Sequence, residues 1–540
     1  MNTPSPTLRP LTGNQLVDAL TNGTYWVLDG TRTLTWALAD YLSFQWSSIQ
    51  SNPSNIAQAY AAFGQFIDVR FEYQGRFTHT SLATADLVAS LDGSWLFFSN
   101  SSSAALGYFP NSQLSQSYVP SLIAGRYPSA PGDIWLNMNV AGSLSLSPGA
   151  GGFTVFMHEI GHTLGLKHPH DSGGTGRPTF VDIGLSIADR DWFTIMSYDE
   201  SYPLSTLLWH PVTPMIGDVI ALQYIYGVNL RTNAGDTTHT LGNNNMFQTL
   251  FDASGNDTLD FSTSSQAWDI SLEISAAGSK HPYVIGLALP IQNLAVPTSL
   301  YWLYGTFERV VGSAQSDSIV GSAGSDTLLG LGGSDYIASG AGNDVIYGGA
   351  GNDTVDGGSG IDIAVLSGLS ANYRMQRVSA TSFTLVDTRG TDGTDTLTSI
   401  ERLSFSGSMV ALDMAANDSG GMAALLLGAV LGSQSLYAKK ALLGSVINLF
   451  DAGLTFTELS GAVMRLDIWE TLAGSNSNTD IATYLMRTVT GAAPGAAVLS
   501  AAVTSLEESR GDYLWHLAAS TSNQFQINLT GLSQFGLEYY

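Results

Sequence analysis

Between Gly312 and Val365 apolar residues return at one fixed place in six consecutive nonapeptides, with Ile319, Leu328, Ile337, Ile346 and Val355 nine apart. Repeats such as GSAGSDTLL, GLGGSDYIA and GGAGNDTVD join a glycine-rich turn to a short apolar run, which predicts one turn and one strand per repeat. Two repeats make one coil of a parallel β-roll, so equivalent turns lie 18 residues apart. Upstream, residues 246–311 alternate apolar and polar positions, as in DTLDF and around Ile291 to Leu294, and are expected to form strands leading into the repeat. Downstream, FTLVDT and the segment through Leu412 read as closing strands. From Met414 onward AALLLGAVLG and TELSGAVMRLDIWETL carry helical spacing, which predicts a separate helical unit. Residues 14–245 form a mixed region richer in Trp and Tyr that holds seven of the nine histidines. The pattern thus predicts a multidomain α+β chain: a candidate catalytic domain at 14–245, a roll domain at 246–412 and a helical domain at 413–540. Residues 1–13 are a candidate pro-segment.

Composition narrows the chemistry. At 540 residues the chain is long enough for three or four domains, at roughly 150 residues each. Its 45 acidic and 20 basic residues leave a net charge of -25, the wrong sign for neutralising phosphates, so no nucleic-acid partner is expected. Cysteine is absent, which excludes disulfides, thiolate metal sites and a cysteine nucleophile. Any metal must sit on imidazole, carboxylate or carbonyl. The opening MNTPSPTLRP lacks a basic start followed by an apolar stretch, and apolar runs such as Met422 to Leu431 are too short to span a bilayer. Neither a Sec-type signal nor a membrane anchor is expected.

Residues 158–168 read HEIGHTLGLKH and fit H-E-x-x-H-x-x-G-x-x-H at all five specified positions. His158 and His162 are four apart, so on a helix both imidazoles leave one face and reach one cation. Gly165 can take a positive φ and turn the chain, returning His168 as a third nitrogen. Three histidines leave one tetrahedral position open for water, the arrangement of a catalytic zinc. Zinc lowers the pKa of that water to about 7, and Glu159 is placed to take its proton. At this chain's residue frequencies the full pattern arises by chance in roughly five of a million such sequences, so accident is no rival.

The repeat carries seven aspartates and no Lys, Arg or His. Stacked carboxylates without basic partners repel and lose hydration on burial, so folding needs cations. Carbonyls of the glycine turns and the carboxylates of Asp317, Asp326, Asp335, Asp344, Asp353 and Asp362 offer all-oxygen coordination, which selects calcium. Asp326 with Asp344 and Asp335 with Asp353 are the expected sharing pairs. Gln315 in the first repeat and Ile361 in the last predict weaker ends.

Residues 194–198 read TIMSY, and with the histidine pattern they resemble the serralysin branch of the metzincins, secreted bacterial zinc endopeptidases. The resemblance implies a metzincin catalytic domain in which Met196 lies beneath the histidines. It also implies that Tyr198 is an extra zinc ligand that swings away to stabilise the tetrahedral intermediate. GDIWLN (132–137) is similar to the edge strand that receives the substrate backbone. IGDVIALQYIYG (216–227) is similar to the helix closing the family's catalytic domain, with Ile220, Tyr224 and Gly227 read as core. His170 and Asp199 depart from the family pattern, and His170 is expected at the cleft rim. The repeat resembles the repeats-in-toxin module of the same family, and DASGNDTLDF implies Asp252 and Asp257 as further calcium ligands with backbone oxygens around Gly235 and Thr237. The family's export route implies type I secretion machinery as a partner, an extracellular location, and protein or peptide substrates. INLTGLSQFGLEYY resembles C-terminal extensions of secreted repeat proteins, implying export or a cell-surface partner. The competing reading is a calcium-ordered surface-layer protein that keeps a vestigial protease domain as scaffold.

Overall fold

The computed structural model describes all residues except 1, 5–6, 42, 49–52, 79–83, 94–97, 99–102, 111–130, 173–174, 199–209, 274–284 and 292–297. Asp199 and most of the stretch from Ile291 to Leu294 therefore lie outside the described residues. The chain combines mixed sheets with helices in an α+β fold and divides into two compact units. The first comprises Met1–Leu259 and Asp269–Phe307, the second Asp260–Trp268 and Glu308–Tyr540. No helix among the described residues is long and apolar enough to cross a membrane.

In the first unit, β1 (Thr33–Ala39), β2 (Arg70–Phe77), β3 (Leu87–Asp92), β4 (Ala105–Gly107) and β5 (Ile134–Asn137) form a sheet in the order β2-β1-β3-β5-β4. All pairs are parallel except β4 on β5, where Ala105, Leu106 and Gly107 face Leu136, Trp135 and Ile134. Three helices position the histidines and their surroundings: α1 (Gln15–Leu20), α2 (Pro53–Gly64) and α3 (Gly151–Thr163). In α2 a leading proline fits the first helical position, and Ile56, Ala59, Tyr60 and Phe63 recur at helical spacing and are buried. Helix α3 packs on α2 and on β4 and β5, burying Phe153, Phe156, Met157 and Ile160 in the same core.

The structure corrects the expectation for 132–137. Strand β5 lies inside the sheet between β3 and β4, and among the described residues the edge belongs to β4. A strand buried on both faces reads the same at either position, because burial does not reveal which flank is paired.

The N-terminal residues are built into this unit. Thr3 and Pro4 pair with Val27 and Trp26, the Arg9 guanidinium lies over the Tyr25 ring, and Arg9 N–H donates to the Gly23 carbonyl at 2.7 Å. Buried Arg177 donates to the backbone oxygens of Arg9 and Pro10 and meets Asp18 at 3.3 Å. The buried Lys167 ammonium donates to the carbonyls of Ala19, Asp171 and His168 at 2.6, 2.7 and 3.2 Å.

In the second unit the nonapeptides alternate between two parallel ladders at the expected 18-residue register. Ser318, Tyr336 and Thr354 align in one, and Thr327, Val345 and Ile363 in the other. The recurring apolar residues Ile319, Leu328, Ile337, Ile346 and Val355 are all buried. Residues 419–535 fold as a series of helices, and the chain then returns, pairing Leu537–Tyr539 antiparallel with Ser408–Ala411. One core joins Ala411 and Met414 to Leu425, Trp469, Ile481, Leu485, Leu537 and Tyr539. Because Leu537 is fully enclosed, Leu537→Ala should cost about 2–5 kcal/mol. A lower urea midpoint reported by the strand signal of this unit, at saturating calcium, checks it.

Candidate metal centres

His158 and His162 both lie on α3, one turn apart, and the helix ends at Thr163. Gly165 then adopts φ +102°, and a Cβ there would sit 2.2 Å from the Thr24 carbonyl oxygen, so the turn that returns His168 needs glycine. The structure brings the three predicted histidines together. His168 Nε2 lies 3.2 Å from His158 Nε2 and 3.0 Å from His162 Nε2.

Each ring is held by its other nitrogen. His158 Nδ1–H donates to the Ile195 carbonyl at 2.7 Å, His162 Nδ1–H to the Leu166 carbonyl at 2.8 Å, and His168 Nδ1–H to Asp171 Oδ2 at 2.7 Å. With protons committed to Nδ1, the three Nε2 atoms present lone pairs to one another and cannot hydrogen-bond among themselves. Such a donor set is completed by a cation. Tetrahedral zinc with Zn–N near 2.0–2.1 Å places ligand nitrogens about 3.3 Å apart, close to the spacing found. Burial and the neighbouring ring hold His158 and His162 down to about 3, and His168 to about 4, so all three are neutral ligands at neutral pH.

Beneath them, buried Met196 packs against α3 at Gly161, where an added Cβ would lie 2.6 Å from Sδ. The turn carrying Met196 is fixed by buried Asp218, whose carboxylate accepts from Thr194 Oγ1 at 2.6 Å, Ile195 N at 2.8 Å and Met215 N at 2.9 Å. Asp218 belongs to α4 (Ile216–Tyr226), the segment read as core from sequence. That reading is corrected in two places. Tyr224 and Gly227 are exposed, and Asp218 locks the turn whose Ile195 carbonyl orients His158. The lone acid in an otherwise apolar helix was the available signal.

Glu159 is buried beside the histidines and accepts a hydrogen bond from the Gly107 N–H of β4; burial pushes its carboxyl up to about 8. Gly107 permits this approach, since a Cβ there would fall 2.6 Å from the Glu159 carbonyl and 2.9 Å from Oε2. Tyr198 stands at the mouth, 66% exposed, with its ring 4.4 Å from that of His168 and 5.5 Å from that of His158. His170 stacks on His168 at 5.2 Å, partly exposed, and its Nδ1 lies 3.5 Å from Asp189. Asp171 and Gly107 escaped the sequence reading, although Asp171 sits only three residues beyond His168.

In the repeat the aspartates stack as expected. The backbone N–H groups of Asp317, Asp326, Asp335 and Asp344 donate to Oδ1 of Asp335, Asp344, Asp353 and Asp362, at 2.7–2.9 Å. The Oδ2 atoms of Asp317 and Asp326 accept from the backbone of Ser313 and Ser322. Those of Asp335, Asp344, Asp353 and Asp362 are buried without a hydrogen-bond partner. Burial raises Asp326 to about 6 and Asp335 and Asp362 to about 7. Buried carboxylate oxygens beside glycine carbonyls are the donors a hard cation takes. In the first unit, Asp257 Oδ1 accepts from Thr237 N–H at 2.7 Å and lies with the Gly235 carbonyl against Gly255, while Asp252 meets His239 at 3.1 Å.

Asp171→Ala frees His168 to rotate and should weaken zinc affinity about 10–100-fold, measured by chelator competition. The metal-free protein should also respond to pH. The three histidines titrate near 3–4 when folded against 6.5 when free, so the folded state binds fewer protons in that window and stability falls as pH falls through it. Glu159, raised from 4.5 to about 8, and Asp218, raised from 3.8 to about 7, act oppositely, as do the raised aspartates of the repeat. On going from pH 6.5 to 4 the urea midpoint of the wild type should therefore lose ground to that of His162→Gln, which lacks one of the three lowered imidazoles.

Residues 47–209 match the model of metallo-peptidase family M12, and residues 305–337 and 329–364 match that of the RTX calcium-binding nonapeptide repeat. The chain is 35% identical to Serralysin C of Dickeya chrysanthemi over 160 residues, 27% of this chain and 33% of that protein. It is 29% identical to Metalloprotease AprA of Pseudomonas entomophila over 177 residues, 29% and 36% of the two chains. Against Serralysin of a Photorhabdus species the identity is 26% over 271 residues, 46% and 55%. The chain thus spans between a third and about half the length of these relatives. A metallopeptidase domain implies zinc at the three imidazoles, and the repeat implies calcium along the aspartates. The chain therefore matches family M12 metallopeptidases over residues 47–209 and the RTX calcium-binding repeat over residues 305–364, and is similar to the serralysins over part of its length.

Proposed function

We propose that the protein is a secreted, calcium-stabilised zinc metalloendopeptidase that hydrolyses peptide bonds of proteins. The observation that carries this reading is the meeting of three Nε2 lone pairs beside a buried carboxylate whose proton affinity burial raises. His158, His162 and His168 would hold the metal, with Tyr198 as a further, detachable ligand. Zinc bound there supplies a Lewis acid that polarises a carbonyl and acidifies water. Glu159 does the proton work. Its raised affinity lets the carboxylate take a proton from attacking water and return it to the departing amine. The Gly107 N–H fixes which way that carboxylate points. The Tyr198 hydroxyl, on an exposed ring beside the histidines, would donate to the developing oxyanion. Substrate backbone would add to the outer edge of β4, beyond which no strand pairs among the described residues.

In this reading residues 14–245 are the protease domain, 246–412 the calcium-binding β-roll and 413–540 a helical domain for export or surface attachment. Calcium is held by Asp317, Asp326, Asp335, Asp344, Asp353 and Asp362, with Asp252 and Asp257 as a separate pair. Extracellular modules of this kind bind calcium at about 10⁻⁴–10⁻³ M, so the roll would stay open inside a cell and close outside. That behaviour, and a chain without cysteine, suit export through type I machinery.

Glu159→Ala should lower caseinolysis about 10²–10⁴-fold while zinc content is retained. Activity that persists in this variant, or survives a zinc chelator, rejects the mechanism, and a wild-type chain without caseinolysis leaves the calcium-ordered scaffold. Excess EGTA should remove strand signal arising from residues 312–412, and an unchanged circular dichroism spectrum rejects the calcium reading.

A further inference from the structure

The two carboxylate ladders do not stop where the repeat stops. After Val365 the chain leaves on an antiparallel hairpin, Tyr373–Arg377 with Ser382–Asp387, and then re-enters both parallel ladders. Thr396 takes the place beside Thr354, and Arg402 the place beside Ile363. The residues just before them, Asp395 and Glu401, thereby fall at the register of the repeat aspartates.

Their hydrogen bonds follow the repeat. Asp353 N–H donates to Asp395 Oδ1 at 3.0 Å, as Asp335 N–H does to Asp353 Oδ1, and Asp362 N–H donates to Glu401 Oε2 at 3.0 Å. The turn before Asp395 is built like its predecessors. Gly393, at φ +78°, stacks on Gly351 so closely that a Cβ would lie 2.0 Å from its carbonyl oxygen, as Gly351 stacks on Gly333. Thr394 N–H donates to Asn352 Oδ1 at 2.7 Å, as Ile361 N–H does to Asn343 Oδ1 at 2.9 Å. Before Glu401 the turn is shorter. Ser399 takes the place that Gly357 holds five residues before Asp362, yet it stands only two before Glu401.

Below each newcomer sits an unsatisfied oxygen. Asp353, 2% exposed, and fully buried Asp362 each have an Oδ2 without a hydrogen-bond partner. Asp353 and Asp395 line one cavity of about 370 Å³ with the backbone of Gly348 and Gly349. Building on the calcium reading of the repeat, we propose that Asp395 and Glu401 complete two terminal calcium sites, the first with Asp353 and the second with Asp362, and so close the roll. The strand register identifies them, since neither falls on the nonapeptide period.

Equilibrium dialysis of the calcium-stripped full chain against inorganic calcium tests this. Asp395→Asn and Glu401→Gln should each lower the number of ions bound by one and the double variant by two. Asp344→Asn should also lose calcium, and Asp356→Asn, which removes a strand carboxylate placed beside Ala338 and Thr398 and not beside another aspartate, should lose none. An unchanged count in the Asp395 and Glu401 variants, with loss in Asp344→Asn, overturns the proposal alone. A wild-type chain that binds no calcium overturns the reading of the repeat itself. Should a variant fail to fold, hydrogen exchange of the wild type decides: amides of 394–402 should gain protection with calcium in step with those of 335–362. Equal protection of 394–402 with and without calcium, while the repeat responds, overturns the proposal.

Discussion

Lone pairs gathered away from water, without positive charge to face them, are the constraint on which both compact units depend. In the first unit three imidazole nitrogens converge at 3.0–3.2 Å with their protons committed elsewhere. In the second, carboxylates stack every 18 residues, and in Asp335, Asp344, Asp353 and Asp362 one oxygen is tied to backbone and the other left over. Neither arrangement is favourable by itself, because removal from water penalises the charged or lone-pair-bearing form and nothing in the chain offsets it. The cation is therefore part of the fold's energetics as well as of its chemistry. The two sites differ in softness. Nitrogen donors with one open position suit a catalytic zinc, whereas carboxylate and carbonyl oxygens suit calcium.

What makes the nitrogen site stiff is the layer behind it. Asp218 fixes a turn, the turn offers the Ile195 carbonyl, and that carbonyl sets the angle of His158. Leu166 and Asp171 do the same for the other two rings. Glu159 is governed from the opposite side, by an edge-strand N–H that only a glycine can bring so near. Orientation is thus distributed over four separated segments of chain, and the liganding atoms themselves have little freedom.

Much of this could be read from residues alone, for reasons that differ by site. The histidines lie within eleven residues, where helix geometry converts spacing directly into proximity, and the nonapeptide period does the same for the aspartates. Legibility ends where partners are distant in sequence. Gly107 and Asp218 reach the site from 52 residues before and 59 residues after Glu159, and no local pattern announces them. The same limit explains the misplaced edge strand, since the flank of a strand is decided by which other segment pairs with it. It also explains why the carboxylate series seemed to end at Asp362. A hairpin inserted after Val365 breaks the period in sequence but leaves the register intact in space.

Lys167 couples the third imidazole to a remote part of the chain. Its enclosed ammonium ties the carbonyl of Ala19 to those of His168 and Asp171, and next to it Leu20 accepts from the Lys167 N–H and Gly165 from that of Asn22. The loop that supplies His168 is thus backed by a stretch almost 150 residues earlier in sequence. A transient detachment of that early stretch would slacken the loop from behind, so metal exchange would be paced by a local opening far less costly than global unfolding.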